Sequence, residues 1–439
     1  MPNSKIFCNI PWYELNINMD GSFDLCGCQN DKIMGTPLGD VWNIKRMTID
    51  EYWHSTRMKK SRLQKLSNEP DPMCRMCQAK DEIGYESNRK KEIMKSAIFL
   101  ESFERSYQQS PNYKQFKYSE EHQGETLTFP HSLHLNMGFT CNFACRMCNP
   151  WASSRLQTEF KQLGWVDHKK KYSHWSEDTT GWSNFTNYLE KNGDKLKVIH
   201  IIGGEVGFID KFDYVLDYFI DRELAHDVNF SFTINASIDY TKYFERLAKY
   251  KRVEIGISIE SVDAMGDYIR QGGNITEILK NIEKLKQEKT NNMSFAIRTV
   301  PSLLSLPSYH KLVEWAWRMG IPIDNSLLVN PIWQQAYLLP DDMMQDIRNY
   351  MEELLVKIPS QNNTQMFNQK DANRIDQTIR NECESIINLT KKKRPDDADD
   401  LLKICASKLD QWDRLKKINL KNYSVKLYQL LEKYGYRGA

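Results

Sequence analysis

The 439-residue sequence has almost no excess charge: 60 Lys and Arg against 58 Asp and Glu leave a formal net charge of +2. A chain so balanced has no global field to recruit nucleic acid or an anionic membrane surface, although a local basic groove is compatible with it. Long apolar runs are missing too. The opening MPNSKIFCNIPWYEL lacks the hydrophobic stretch of a secretory leader, and no later segment reaches bilayer-spanning length. The expectation is a soluble, cytoplasmic protein with no membrane partner. No internal repeat is present. With 40% hydrophobic and 27% charged residues, the chain is long enough for a large core plus a satellite domain.

Cysteine, by contrast, is plentiful and uneven: ten residues, eight of them in the first 148 positions. A reducing compartment disfavours a disulfide framework, so clustered thiols argue for metal. Cys383 and Cys405 stand apart in the helical tail and read as ordinary buried thiols.

Residues 1–104 carry Cys8, Cys26, Cys28, Cys74 and Cys77, with a helix expected over 49–65 that opens on a capping box of Thr48 and Glu51. From Arg105 to Gly124 the sequence is polar and aperiodic, the composition of a connecting segment, so a linker is placed at 105–129. Beyond it, short apolar runs alternate with helical patterns. The runs are SLHLNM (132–137), KVIHIIGG (197–204), VNFSFTINA (228–236), VEIGISI (253–259), MSFAIRTV (293–300) and NSLLVN (325–330). Between them, Phe212, Val215, Leu216, Phe219 and Ile220 fall on one helix face. Six strands alternating with helices imply an α/β fold with a parallel sheet. Right-handed crossovers would curl it into a partial (β/α)6 TIM-type barrel over 130–335, with chemistry at the C-terminal strand ends. Residues 336–439 read as a helical extension interrupted by the charged, solvated break KKKRPDDADD at 391–400.

The first strand runs into CNFACRMC, which places Cys141, Cys145 and Cys148 on one loop beyond a strand end. Soft thiolates suit iron-sulfur clusters, and three of them leave one corner of a four-iron cluster free. The alternative from spacing alone is that Cys145 and Cys148 form half of a zinc site, completed by Cys141 or by a distant histidine such as His134. CX3CX2C at the end of a first parallel strand resembles the signature of the radical S-adenosylmethionine superfamily. The resemblance implies that the three cysteines hold a catalytic [4Fe-4S] cluster whose free iron binds S-adenosylmethionine. Met147 stands where that family often has an aromatic residue.

The second strand ends in Gly203-Gly204-Glu205, similar to the family's GGE motif; alone it reads as a plain strand-to-helix turn, and its position one strand after the cysteine loop is what favours the motif. Asn235 and Ser237, then Ser258 and Glu260, follow the third and fourth strands as short polar groups able to bond a ribose or carboxylate, or simply to form turns. Arg270 is placed to clamp the methionine carboxylate, as an arginine downstream of that strand does in similar enzymes.

Cys8, Cys26, Cys74 and Cys77 supply four further thiolates, and Cys28 a fifth candidate. The pattern CNIPW, GSFDLCGC and PMCRMC resembles the SPASM and twitch modules that bind an auxiliary [4Fe-4S] cluster, here ahead of the barrel; a structural zinc knot is the alternative. The resemblance implies reductive cleavage of S-adenosylmethionine to a 5'-deoxyadenosyl radical. A donor such as flavodoxin or ferredoxin would feed the cluster. The substrate expected is a peptide or protein side chain, because similar modules accompany peptides. A small molecule or nucleotide, and a non-enzymatic metal-bearing scaffold, are the competing readings.

Overall fold

The structure is a computed structural model that describes residues 6–26, 42–71, 74–82, 87–90, 108, 110, 112–169, 172–359 and 370–439. Its N-terminal elements are β1 (Glu14–Ile17), β2 (Phe23–Asp24), α1 (Ile49–Trp53), α2 (Thr56–Leu66), α3 (Arg75–Glu82) and α4 (Tyr113–Glu121). There follow β3 (Ser132–Asn136), β4 (Ala144–Cys145), α5 (Ser154–Gln162), α6 (Thr179–Asn192), β5 (Val198–Ile202), α7 (Asp210–Asp221), β6 (Asn229–Ile234) and β7 (Arg252–Ser258). Next are α8 (Ala264–Ile269), β8 (Arg270–Gln271), α9 (Ile275–Glu288), β9 (Met293–Thr299), α10 (Tyr309–Met319) and β10 (Ile323–Asn325). The chain ends in α11 (Asp341–Lys357), α12 (Lys370–Thr390), α13 (Ala398–Lys416) and α14 (Val425–Glu432). Among the described residues no helix is long and apolar enough to cross a membrane.

The chain divides into two compact units, the first made of Met1–Phe139, Lys171–Phe232 and Glu245–Val253. Its strands lie in the order β6-β5-β3-β1-β2, and β1–β3, β3–β5 and β5–β6 are parallel. Leu15, Leu133, Ile199 and Phe230 align across four strands, as do Ile17, Leu135, Ile201 and Phe232, and all are fully buried. On this face α7 packs with Phe212, Val215, Leu216 and Phe219 buried, and the Phe212 ring meets those of Phe230 and Phe232 at 6.2 and 5.2 Å. The alternate residues Asn16, His134, His200 and Ser231 form one line across the opposite face. Period-two alternation thus gives the sheet an apolar helix-covered side and a polar side.

Two expectations change here. The single helix over 49–65 is two helices: α1 keeps its Thr48–Glu51 capping box, but Ser55 starts α2 by accepting from Met58 N. The segment read as aperiodic contains α4, whose Phe116 is fully buried against Phe7 and Trp12. Long-range aromatic packing supplies what the local sequence pattern does not show.

The second unit comprises Thr140–Lys170, Thr233–Phe244 and Glu254–Ala439. Its strands lie in the order β10-β9-β7, with a separate antiparallel pair of β4 and β8. β10 is shorter and earlier than the expected 325–330, pairing with β9 only through Ile323, Asp324 and Asn325. Its partner runs out at Thr299, two residues before Pro301, which has no N–H to extend a ladder. Among the described residues four α-helices follow from Asp341, and 391–397 is the loop between α12 and α13. The chain as a whole is mixed α/β with parallel strands.

Candidate active site: two cysteine-bearing regions

Cys141, Cys145 and Cys148 lie on one loop of the second unit. The loop is tied down by its own helix: Ser153 caps α5 and donates to Phe143 O at 2.6 Å, while Cys141 N donates to Ser154 Oγ at 3.2 Å. Cys145 is paired with Arg270 across β4 and β8, and Cys148 N closes a turn onto Cys145 O at 3.0 Å. Gly272 holds the return strand close; at φ +99°, a Cβ there would lie 2.9 Å from Asn142 O.

Arg270 is buried and forked onto Glu260, with Nε and Nη2 donating to the two carboxylate oxygens at 2.6 and 2.8 Å. Its remaining arm, Nη1, lies 3.8 Å from Cys145 Sγ. Burial opposes the Arg270 charge, but Glu260 and Cys145 outweigh it and hold the guanidinium firmly protonated. Burial pushes the Cys145 thiol up and Arg270 pulls it back, while Cys148 and Cys141 raise it further. Burial thus keeps the Cys145 and Cys148 thiols protonated, and a bound cationic centre would displace those protons.

Asn235 and Ser237 meet this loop through Asn142. Asn235 Nδ2 donates to Asn142 Oδ1 and Asn142 Nδ2 to Ser237 Oγ, both at 2.9 Å. Between them Ala236 adopts a left-handed φ of +55°, with its carbonyl held by Asn281 Nδ2 at 2.9 Å. Such a conformation in a non-glycine residue persists only where its surroundings enforce it. Ser258 is the last residue of β7, half-buried. Arg298 is engaged by Glu254 and Asp324, and Asn330 is exposed.

Gly203, Gly204 and Glu205 belong to the first unit. Gly204 N donates to Gly138 O at 2.6 Å, and a Cβ at Gly203 would lie 2.8 Å from that same oxygen, so the approach of the two strand exits requires glycine. Glu205 is buried.

In the same unit, Cys8 lies ahead of Trp12, Cys26 follows β2, and Cys74 and Cys77 open α3. Burial pushes the Cys8 thiol far up, and the charges of Cys74 and Cys77 push the same way. Lys65, on α2 and almost completely buried, donates to Cys74 Sγ at 2.9 Å and lies 3.8 Å from Asp71. Burial raises the Cys74 thiol and Lys65 opposes it. Cys28 lies outside the described residues. Cys383 and Cys405 are fully buried. Among the described residues no three His, Cys, Asp or Glu side chains converge as they would on a single metal ion.

Sequence reasoning did not single out Lys65, Arg146 or Asp413, and it named His134 only as an alternative zinc ligand, not as part of the line Asn16–His134–His200–Ser231. In that line the two imidazoles meet edge to face at 4.3 Å and His200 Nδ1 lies 2.6 Å from Ser231 Oγ. Matching polar positions in SLHLNM and KVIHII were the available signal.

The radical SAM superfamily model matches residues 135–301, and the SPASM iron-sulfur cluster-binding domain model matches residues 8–78. Residues 135–301 thus carry a radical SAM domain, and an SPASM domain lies ahead of it. The first implies a [4Fe-4S] cluster and S-adenosylmethionine; the second implies auxiliary iron-sulfur clusters. No curated protein matches the sequence. Similar solved structures include Streptococcus suis SuiB bound to S-adenosylmethionine, at 15% identity and TM-score 0.38, covering 65% of this chain and 60% of that one. SuiB bound to precursor peptide SuiA gives 15% identity, TM-score 0.37 and the same coverages of 65% and 60%. TYW1 with a lysine-pyruvate adduct bound gives 15% identity and TM-score 0.28, over 49% of this chain and 70% of that one. The match therefore spans about 60% of the length of the SuiB chains.

Proposed function

We propose that the chain is an enzyme that binds S-adenosylmethionine at a [4Fe-4S] cluster held by Cys141, Cys145 and Cys148, and removes hydrogen from a peptide or protein side chain. When bound, the cluster and S-adenosylmethionine supply reductive cleavage to a 5'-deoxyadenosyl radical. The observation that carries this reading is the loop itself: three thiols within the matched span 135–301, anchored at both ends, with a buried guanidinium beside Cys145. Four cluster corners and three thiolates leave one iron for an exchangeable ligand.

The protein's own residues bind and orient. The Glu260 fork fixes Arg270 and leaves Nη1, on the Cys145 side, as the donor for an incoming carboxylate. Asn142, Asn235 and Ser237 present amide and hydroxyl groups suited to a ribose. We assign Gly203, Gly204 and Glu205 to the amino group of the same cofactor and Ser258 to its polar surroundings. Cys8, Cys26, Cys74 and Cys77 are the proposed ligands of an auxiliary cluster within the SPASM match, fed with the first by a donor such as flavodoxin or ferredoxin. The peptide assignment is supported by that match, because modules of this kind accompany peptide substrates; the domain limits 1–104, 130–335 and 336–439 belong to the same proposal.

The test is anaerobic reconstitution with iron and sulfide, iron counting, electron paramagnetic resonance, and assay of 5'-deoxyadenosine after addition of dithionite and S-adenosylmethionine. About eight irons and deoxyadenosine release are expected. Bound zinc without deoxyadenosine would overturn the reading in favour of a metal-bearing scaffold.

A further inference from the structure

The superfamily match ends at residue 301, yet helix α13 from beyond it reaches the cysteine loop. Arg146, between Cys145 and Cys148, has a side chain with no solvent exposure, and so has Asp413 on α13. Arg146 Nη2 is ion-paired with Asp413 Oδ1, and its guanidinium lies between the rings of Tyr268 at 4.7 Å and Trp412 at 4.5 Å. The other carboxylate oxygen of Asp413 accepts from Tyr268 Oη at 2.8 Å and Tyr436 Oη at 2.6 Å. The loop backbone is fixed at the same residue: Arg146 N donates to Ile269 O at 2.8 Å, and its carbonyl accepts from Gln334 Nε2 at 2.9 Å. Arg146 Nη1 is buried with no hydrogen-bond partner among the described residues.

A fully buried ion pair adds little net stability, because the loss of hydration offsets the Coulomb attraction. Stability therefore does not account for placing one on the loop between two thiolates. Charge does: a lone guanidinium there would favour the more negative, reduced state of any cluster the loop holds.

We propose that Asp413 is a positioning and charge-balancing residue for the cluster loop, acting through Arg146, so that the C-terminal region sets the reduction potential of a cluster it does not ligate. This rests on the cluster assignment above. The experiment is a redox titration of the reconstituted full-length protein, following the paramagnetic signal that changes on adding S-adenosylmethionine. Asp413→Asn leaves Arg146 without a countercharge and is expected to shift the midpoint to more positive potential. Arg146→Gln removes the positive charge on the loop itself and is expected to shift it to more negative potential, whether or not the buried Asp413 carboxyl takes up a proton. Combining the two restores charge balance and is expected to return the midpoint towards wild type. A packing role alone moves neither midpoint, or moves both the same way with no return in the double variant; either result overturns the proposal. Should Asp413→Asn not fold, the sign of the Arg146→Gln shift decides, a positive or absent shift overturning it. Absence of any cluster in the wild-type protein would instead remove the cluster assignment, a distinguishable failure.

Discussion

The two cysteine-bearing regions each set a buried cation against a sulfur, but they assemble it differently. At Cys74 the cation is Lys65, nine residues away on the preceding helix, donating at 2.9 Å. At Cys145 it is Arg270, 125 residues away, at 3.8 Å and with most of its fork given to Glu260. A lysine is a compact charge that can aim a single N–H at one sulfur, whereas an arginine can satisfy a carboxylate and still present a free arm. The first arrangement depends on a short stretch of chain, and the second on strands and loops brought together only by the fold.

Substituting one thiolate in each region tests the difference most severely. Cys145→Ala is expected to abolish deoxyadenosine formation and to lower iron from about eight to about four per chain. Cys74→Ala is expected to lose the other four, about half the total, while deoxyadenosine formation persists. Iron analysis and product assay on the same samples check both, and loss of product in both variants would show that the regions do not act separately.

Glu260→Gln removes the carboxylate that Arg270 is built around. A buried charge stripped of its partner costs about 3–5 kcal/mol, and denaturant unfolding should register it. The same change is expected to weaken S-adenosylmethionine binding, measured by equilibrium dialysis.

Acid should weaken the first unit through His174. Burial, with a smaller push from Lys45, lowers this imidazole from 6.5 to about 3. The unfolded chain therefore binds a proton that the folded chain refuses between those limits, so stability is full above pH 6.5 and falls as the pH drops towards 3. The slope approaches about 1.4 kcal/mol per pH unit, and unfolding followed at pH 6.5 and 5.0 should lose it in His174→Gln.

How far each region was legible follows from how local its determinants are. The CX3CX2C loop could be read directly, since its spacing and its place after a strand lie within one stretch of sequence. Arg270 was flagged, but its pairing with Glu260 needed the return strand β8. Lys65 sits in RLQKLSNE, where a lysine looks like any solvated helix residue. Its burial comes from Asp71 and Cys74 packing over it. Arg146 and Asp413 are 267 positions apart and carry no shared pattern. Strands β3, β5 and β6 were placed within a residue or two because alternation is local, whereas the short β1 and β2 were not read from the sequence, and α4 was missed because Phe116 is held by the distant residues Phe7 and Trp12.

Lys65→Met gives the mildest and most selective test of the opening contrast. Methionine keeps the length and apolar stem of lysine and removes only the ammonium. Asp71 is not stranded by the change, since Arg57 lies 3.6 Å away and Ser61 Oγ donates to it at 3.2 Å. The loss should therefore be about 1.5–3 kcal/mol, the scale of one charge-assisted hydrogen bond. The larger effect is on potential. Without the Lys65 N–H, electron density on Cys74 is less well accommodated, so the midpoint of the cluster in this region should move to more negative values while that of the Cys145 cluster stays fixed. Lys65→Arg, which keeps the charge, should recover most of the shift. A change in both midpoints, or in neither, would mean that the lysine is not dedicated to Cys74 and that the two regions differ less than their geometry implies.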